Sequence, residues 1–168
     1  MRSLTVRCLF LLGLISFSSL ALSQPAVFQD GVFIIPQGVA LINGEARHYN
    51  NIKLAADREG KFTLLEAQPS SLVTIDQVEI DVAGSSPFQV VLAVAGSKSV
   101  PCVDLQEPAI VREGSTFLIA LAETTMGPAQ TCIAVIDPFQ LQIPLDITGL
   151  DAGSYSARVN GVYVEFEL

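Results

Sequence analysis

Short apolar runs broken by Gly, Pro, Ser, Asp and Asn recur along this chain, and none sustains a 3.6-residue period between helix caps. Runs of that length bury one face only as strands. Val78, Ile80 and Val82 alternate with Glu79 and Asp81, which is the period of two of a half-buried strand. Phe139-Gln140-Leu141-Gln142-Ile143 alternates in the same way, and Pro144 must then lie at an edge or a bulge. Phe88 to Ala95 and Thr116 to Ala122 are nearly continuous apolar runs suited to central strands. Ile110 to Ala122 is the best helical stretch, but Gly114 and its β-branched neighbours count against it. Tyr155–Val159 and Val162–Phe166 flank Asn160-Gly161, the strongest short-range hairpin signal. The chain reads as mainly β, with a spacing of runs that fits a two-sheet sandwich carrying Asp and Glu on its solvated faces.

Residues 27–66 read as a separate small β module of about four strands. Gly31 to Pro36 is a strand that meets a proline, Gly38 to Ile42 is a second turned at Asn43-Gly44, and Tyr49 to Ala55 is a third. Asp57-Arg58-Glu59-Gly60 turns the chain into Lys61 to Leu65. Gln68-Pro69-Ser70-Ser71 marks a boundary, so the expected organisation is a leader over 1–23, the β module over 24–69 and the sandwich over 70–168.

The leader follows from Arg2 and Arg7, the apolar stretch Leu9 to Leu22, and Ala21-Leu22-Ser23 ahead of Gln24. The run is short of the about 20 apolar residues that span a bilayer and contains several serines. No later stretch approaches that length, so no transmembrane segment is expected in the mature chain. Loss of the leader removes two of the nine basic residues and none of the 17 acidic ones, moving the formal charge from −8 to −10. Such acidity excludes a nucleic-acid binder, which needs a basic footprint for phosphates, and electrostatic docking on anionic lipid. It also leaves Cys102 and Cys132 as an even pair in an exported chain, the pattern of a structural disulfide. A CxxC redox spacing is absent from that pair.

Leu150-Asp151-Ala152-Gly153-Ser154-Tyr155 has the Leu-x-x-Gly-x-Tyr spacing of the tyrosine corner in immunoglobulin-like and fibronectin-like domains. There the Tyr155 hydroxyl would bond to backbone across the turn, and Gly153 would permit a tight approach. The run Gly31 to Leu65, with Ile35-Pro36, Tyr49, Asn51-Ile52-Lys53-Leu54 and Gly60-Lys61-Phe62-Thr63-Leu64, resembles a β module of exported bacterial proteins. The tail from Pro138-Phe139 to Leu145, Gly149-Leu150, and Gly153-Ser154-Tyr155 to Val159-Asn160-Gly161 resembles that of small exported immunoglobulin-like proteins. The resemblance covers about half the chain and implies an immunoglobulin-like β-sandwich with an N-terminal β module. It carries over no settled activity and no catalytic residue. The chain lacks the lipid-attachment cysteine that many such proteins have after the leader, which implies a free periplasmic or secreted form.

Composition narrows the chemistry. His48 is the only histidine and Trp is absent. A histidine-based zinc or copper site needs more imidazoles, and no Gly-x-Ser-x-Gly elbow accompanies His48, which reads as a surface residue among Arg47, Tyr49, Asn50 and Asn51. No phosphate-binding loop occurs. Asp57-Arg58-Glu59-Gly60 and Asp76, Glu79 and Asp81 have the wrong spacing for a calcium loop. A sandwich could gather Asp137, Asp146 and Asp151 at one end, though solvated turn residues are the simpler reading. A sugar-binding platform would want more aromatics than Tyr49, Tyr155 and Tyr163 and the phenylalanines. The expected function is therefore a non-enzymatic binding or structural module whose partner is an unknown protein or envelope component. Its contacts would come from the loops around Cys102 and Cys132 and from exposed strands of the N-terminal module. The alternative is a carboxylate-based hydrolase in the cell envelope. The residues given definite roles are structural: Cys102 and Cys132 as a staple, Gly153 and Tyr155 at the corner, and Asn160 and Gly161 in the last hairpin. No catalytic, cofactor-binding or metal-ligating residue is assigned.

Overall fold

The computed structural model describes residues 25–84 and 89–168. The leader over 1–23, with Cys8, and most of the Gly84-Ser85-Ser86-Pro87 turn lie outside the described residues. Those that are described form strands and connecting turns with no helix, and none of their elements is a helix long and apolar enough to cross a membrane.

An antiparallel meander opens the fold: β1 (Val27–Gln29), β2 (Val32–Ile42), β3 (Glu45–Ala56) and β4 (Phe62–Pro69), in that spatial order. β2 runs as one strand through Pro36, where the sequence suggested two. The missing N–H does no harm there, because the β2–β3 register skips Pro36 and Asn51 (φ 50°) and resumes at Gln37, while β1 pairs only with Val32–Ile34. Asn43-Gly44 forms the tight turn, with both residues at positive φ (54° and 76°).

Two further sheets form the sandwich. β6 (Thr74–Ala83), β7 (Gln89–Lys98) and β11 (Asp137–Leu145) make one, ordered β11-β7-β6. β8 (Ala109–Glu113), β9 (Thr116–Ala120), β12 (Ser154–Val159) and β13 (Val162–Glu167) make the other, ordered β13-β12-β9-β8. The stretch with the best helical pattern is thus a hairpin, turned at Gly114 (φ 60°). Two short strands, β5 (Ser71–Leu72) and β10 (Ala122–Glu123), pair beside them. The β9–β12 pair is parallel, so this sheet is mixed and departs from the all-antiparallel sheets of an immunoglobulin domain.

Leu92 and Val94 of β7, Phe117 and Ile119 of β9, Ile143 of β11, Ala157 and Val159 of β12 and Phe166 of β13 fill the space between the sheets. The other side of β9 is buried too. Leu118 and Ala120 pack against Ala46, Val39 and Leu41 of the meander, with Leu72 and Ala109 alongside. β9 is therefore covered on both faces, and the meander and the sandwich meet along a seam. An Arg158 Nη2–Glu45 Oε1 pair at 3.2 Å crosses it.

Candidate functional site

His48 lies on this seam. It is directly opposite Val39 in the β2–β3 ladder, so its ring shares the face of Val39, Leu41 and Ala46. Only 2% of the residue is exposed, which corrects its assignment to the surface. Alternation along β3 buries every second side chain whatever its polarity, and Arg47 and Tyr49 beside it point the other way. Nδ1 is 2.9 Å from Ser70 Oγ, Nε2 is buried without a partner, and burial holds the imidazole below its usual pKa. Gln106 stands in line with Ala122 and Leu72 on the same face, and its Oε1 is likewise unpartnered. These two polar groups make the seam less tightly satisfied than the sandwich core.

Cys102 and Cys132 are bonded, with Cα atoms 6.0 Å apart. The loop they close is fixed further by Glu123, 6% exposed, which accepts hydrogen bonds from Ser99 N at 2.8 Å and Ser99 Oγ at 2.5 Å. Beyond Cys132 the chain joins no strand, Val135 N bonds back to Ile133 O at 3.0 Å, and Ile133, Val135 and Ile136 are exposed. Tyr155 stacks on Phe166 and its Oη donates to Asp151 O at 2.8 Å. Gly153 has no close neighbour where a Cβ would stand, so no tight approach requires a glycine there. Its backbone instead exchanges both hydrogen bonds with Leu168.

Asn160 and Gly161 turn the final hairpin at φ 45° and 97°. The Asn160 side chain has a second task that the turn motif does not reveal. Its Oδ1 accepts from Leu121 N at 2.9 Å, and its Nδ2 donates to Leu121 O at 2.8 Å and Val73 O at 2.9 Å. Leu121 sits between β9 and β10, and the carboxamide stands in for a missing strand partner there.

Asp137 and Asp146 do not gather. Asp137 and Asp146 flank opposite ends of β11, which puts them about 30 Å apart at 3.3–3.4 Å per residue. Asp137 pairs with Lys98 Nζ at 2.9 Å. Asp146 accepts from Thr148 N at 3.0 Å, and hydrogen bonding to the Thr148 side chain, with this backbone bond, holds its carboxyl below the usual range. Among the described residues no cluster of three His, Cys, Asp or Glu side chains could hold a metal ion.

Two grooves remain. One is a trough of about 420 Å³ on the outer face of the three-stranded sheet, where Ala93 and Ala95 form a floor between Gln77 and Glu79 on one side and Gln140 and Gln142 on the other. Glu79 is its one carboxylate.

The other groove, about 460 Å³ and mainly apolar, belongs to the meander. Ala40 and Tyr49 line it with Ile52, Leu64 and Leu65. Gly38 makes room for the Ile52 side chain, whose Cδ1 a Cβ there would meet at 2.6 Å. Next to it Phe28, Phe33, Leu54 and Leu64 stand directly opposite one another across all four strands, and Phe62 meets the Phe33 ring edge-on. Phe28 and Leu64 are each 60% exposed. β4 then closes the sheet with an unpaired outer edge, and its register against β3 shifts on both sides of the Lys53–Glu66 pair, leaving Leu65 as the extra residue of a bulge. It begins where Asp57 Oδ1 accepts from Glu59 N and Lys61 N, a local ring that reverses the chain with Gly60 at φ 80°. Its single charged residue, Glu66, accepts from Lys53 Nζ at 2.6 Å and from Gln68 Nε2 at 2.8 Å, and these bonds lower its pKa.

Charge is divided unevenly between the two units. Residues 25–69 carry four basic and five acidic side chains, whereas residues 70–168 carry three basic and twelve acidic ones. The meander is thus close to neutral, and the sandwich carries almost all the net negative charge.

No curated protein and no solved structure matches the chain. Residues 92–168, from within β7 to the end, match the family model described as ORF11 beta-sandwich domain; over that part the chain is similar to a β-sandwich domain, while the meander, β5 and β6 lie outside the match.

Proposed function

We propose that this protein is an exported, non-enzymatic binding or structural module, periplasmic or secreted, in which an immunoglobulin-like sandwich carries the N-terminal meander as its contact surface. The observation that carries this reading is the β4 edge: an eight-residue strand whose alternate residues turn free backbone donors and acceptors outward, with Leu64 and Leu65 exposed and one neutralised charge. An edge of this kind is a template for strand addition, in which backbone hydrogen bonds give affinity and alternate side chains give selectivity. The groove and the aromatic row beside it supply apolar area to the same surface. The Tyr155–Asp151 bond and the last hairpin support the immunoglobulin-like reading, with the parallel β9–β12 pair as its departure. Hydrolysis by a carboxylate pair is less well supported: the polar trough offers Glu79 alone, where that chemistry needs a second carboxyl across the cleft.

Affinity capture from a periplasmic or culture-supernatant extract tests the proposal, using the native protein and its Leu65→Glu variant as parallel baits. A species retained by the native protein and lost with the variant is the expected result. Retention that ignores the substitution would move the contact surface elsewhere.

A further inference from the structure

We infer that the β4 edge takes a second copy of this chain, added antiparallel about a two-fold axis to make a continuous eight-stranded sheet. The inference rests on the proposed binding role of that edge and names its partner. A strand edge is self-complementary: placed antiparallel to itself, its outward N–H and C=O groups find partners, and the interface closes with two copies.

The charge distribution favours this occupant. A chain that is strongly acidic overall repels its own copies, but the negative charge lies on the sandwich, and the meander brings four basic against five acidic side chains to the contact. Pairing through β4 joins the near-neutral units and leaves the acidic sandwiches at the two ends. Glu66, the one charge on the strand, is already bonded to Lys53. In the register of fullest overlap, Leu65 lies opposite Glu66 of the second copy and Leu64 opposite Ala67. The Phe28–Phe33–Leu54–Leu64 row then has a counterpart beside it in the new sheet. The other strand edges are less suited to this. β1 has three residues, β8 five, β13 lies against β6, and β11 holds two prolines.

A single strand pair with its flanking side chains falls below the about 1,200 Å² of a standard interface, so the dimer is weak and concentration-dependent. Sedimentation equilibrium of the purified protein over a wide concentration range should show the mean mass rising towards twice that of the protomer. Leu65→Glu sets a carboxylate against itself or against Glu66 across the two-fold, and counts twice. It should raise the dissociation constant at least about tenfold, since like charges directly opposite destabilise a strand pair. Leu65 is 58% exposed in the single copy, so the thermal transition of the variant should match that of the native protein. Hydrogen exchange supplies the independent readout: protection gained at high concentration should concentrate in residues 62–69. A native protein that stays monomeric up to its solubility limit overturns the inference. So does a dimer that survives Leu65→Glu, or one whose gained protection lies outside β4. A monomer that still captures a partner through β4 would overturn self-pairing and leave the binding role standing.

Discussion

β4 and β11 are both sheet-edge strands of similar length, eight and nine residues, yet they treat their free backbone in opposite ways. β11 carries Pro138 and Pro144, and its ladder with β7 runs unbroken through both, so the missing donors fall on the outer side. A strand added there would find gaps. β4 has no proline before its last residue, no free charge and two exposed leucines. The meander and the sandwich differ likewise in charge and in packing. The sandwich has a core between two sheets and a disulfide, whereas the meander buries only its seam with β8 and β9. Proline protection of an edge and investment in stability go together in the sandwich, whereas the outer end of the meander has only the register shifts of β4 against β3 on either side of the Lys53–Glu66 pair.

Four measurements sharpen or break that contrast. Replacing both Cys102 and Cys132 by Ser should lower the unfolding free energy by about 3–4 kcal/mol, as expected for a closed loop of this length. Urea titration measures it, and a loss below about 1 kcal/mol would mean that the stapled loop is not part of the cooperative unit. Asn160→Gly keeps a residue that turns readily and removes the carboxamide from Leu121 and Val73. It should cost about 2–3 kcal/mol, the penalty of stranding buried backbone groups, and Asn160→Asp should cost more because it points a carboxylate oxygen at two carbonyls.

At the seam, His48 gives a pH signature. Its folded pKa lies below the ordinary 6.5, so as pH falls through 6.5 the unfolded chain takes a proton that the folded chain refuses. Stability should therefore be fully present above pH 6.5, decline below it, and level off under the folded pKa. Thermal melts between pH 7 and 5 should show a smaller decline in His48→Gln than in the native protein, and parallel declines would remove His48 as the cause. Leu64→Ser on the open edge should change stability by no more than about 0.5 kcal/mol, as for exposed sites generally. A loss of 2 kcal/mol or more, as at a buried core site, would show that the outer end of the meander is packed after all.

Local signals carried the β class, the Cys102–Cys132 bond and the Asn160-Gly161 turn, because each depends on alternation, pairing arithmetic or a two-residue conformation. Pro36 misled for an equally local reason. A proline ends a strand only where its N–H is needed, and here neither β1 nor the β2–β3 ladder pairs with Pro36. His48 was read as a surface residue from its polar neighbours, but alternation sends those neighbours to the other face, and the seam exists only once the meander docks on β9. Asp137, Asp146 and Asp151 read as solvated residues that a sandwich could gather at one end, and the length of β11 keeps Asp137 from Asp146.

By itself the sequence determined the β class and most of the long strands, where the last hairpin turns, which cysteines can bond and how much negative charge the chain bears. These follow from side-chain period and backbone preference over a few residues. Tertiary structure alone decided that β9 is buried on both faces, that β9 and β12 run parallel, that Asn160 completes the backbone of Leu121, and that β4 is left as the open edge beside a near-neutral face. Each of those depends on which distant strands become neighbours. That choice is made by the burial of apolar faces summed over the whole chain, and no short window of residues contains it.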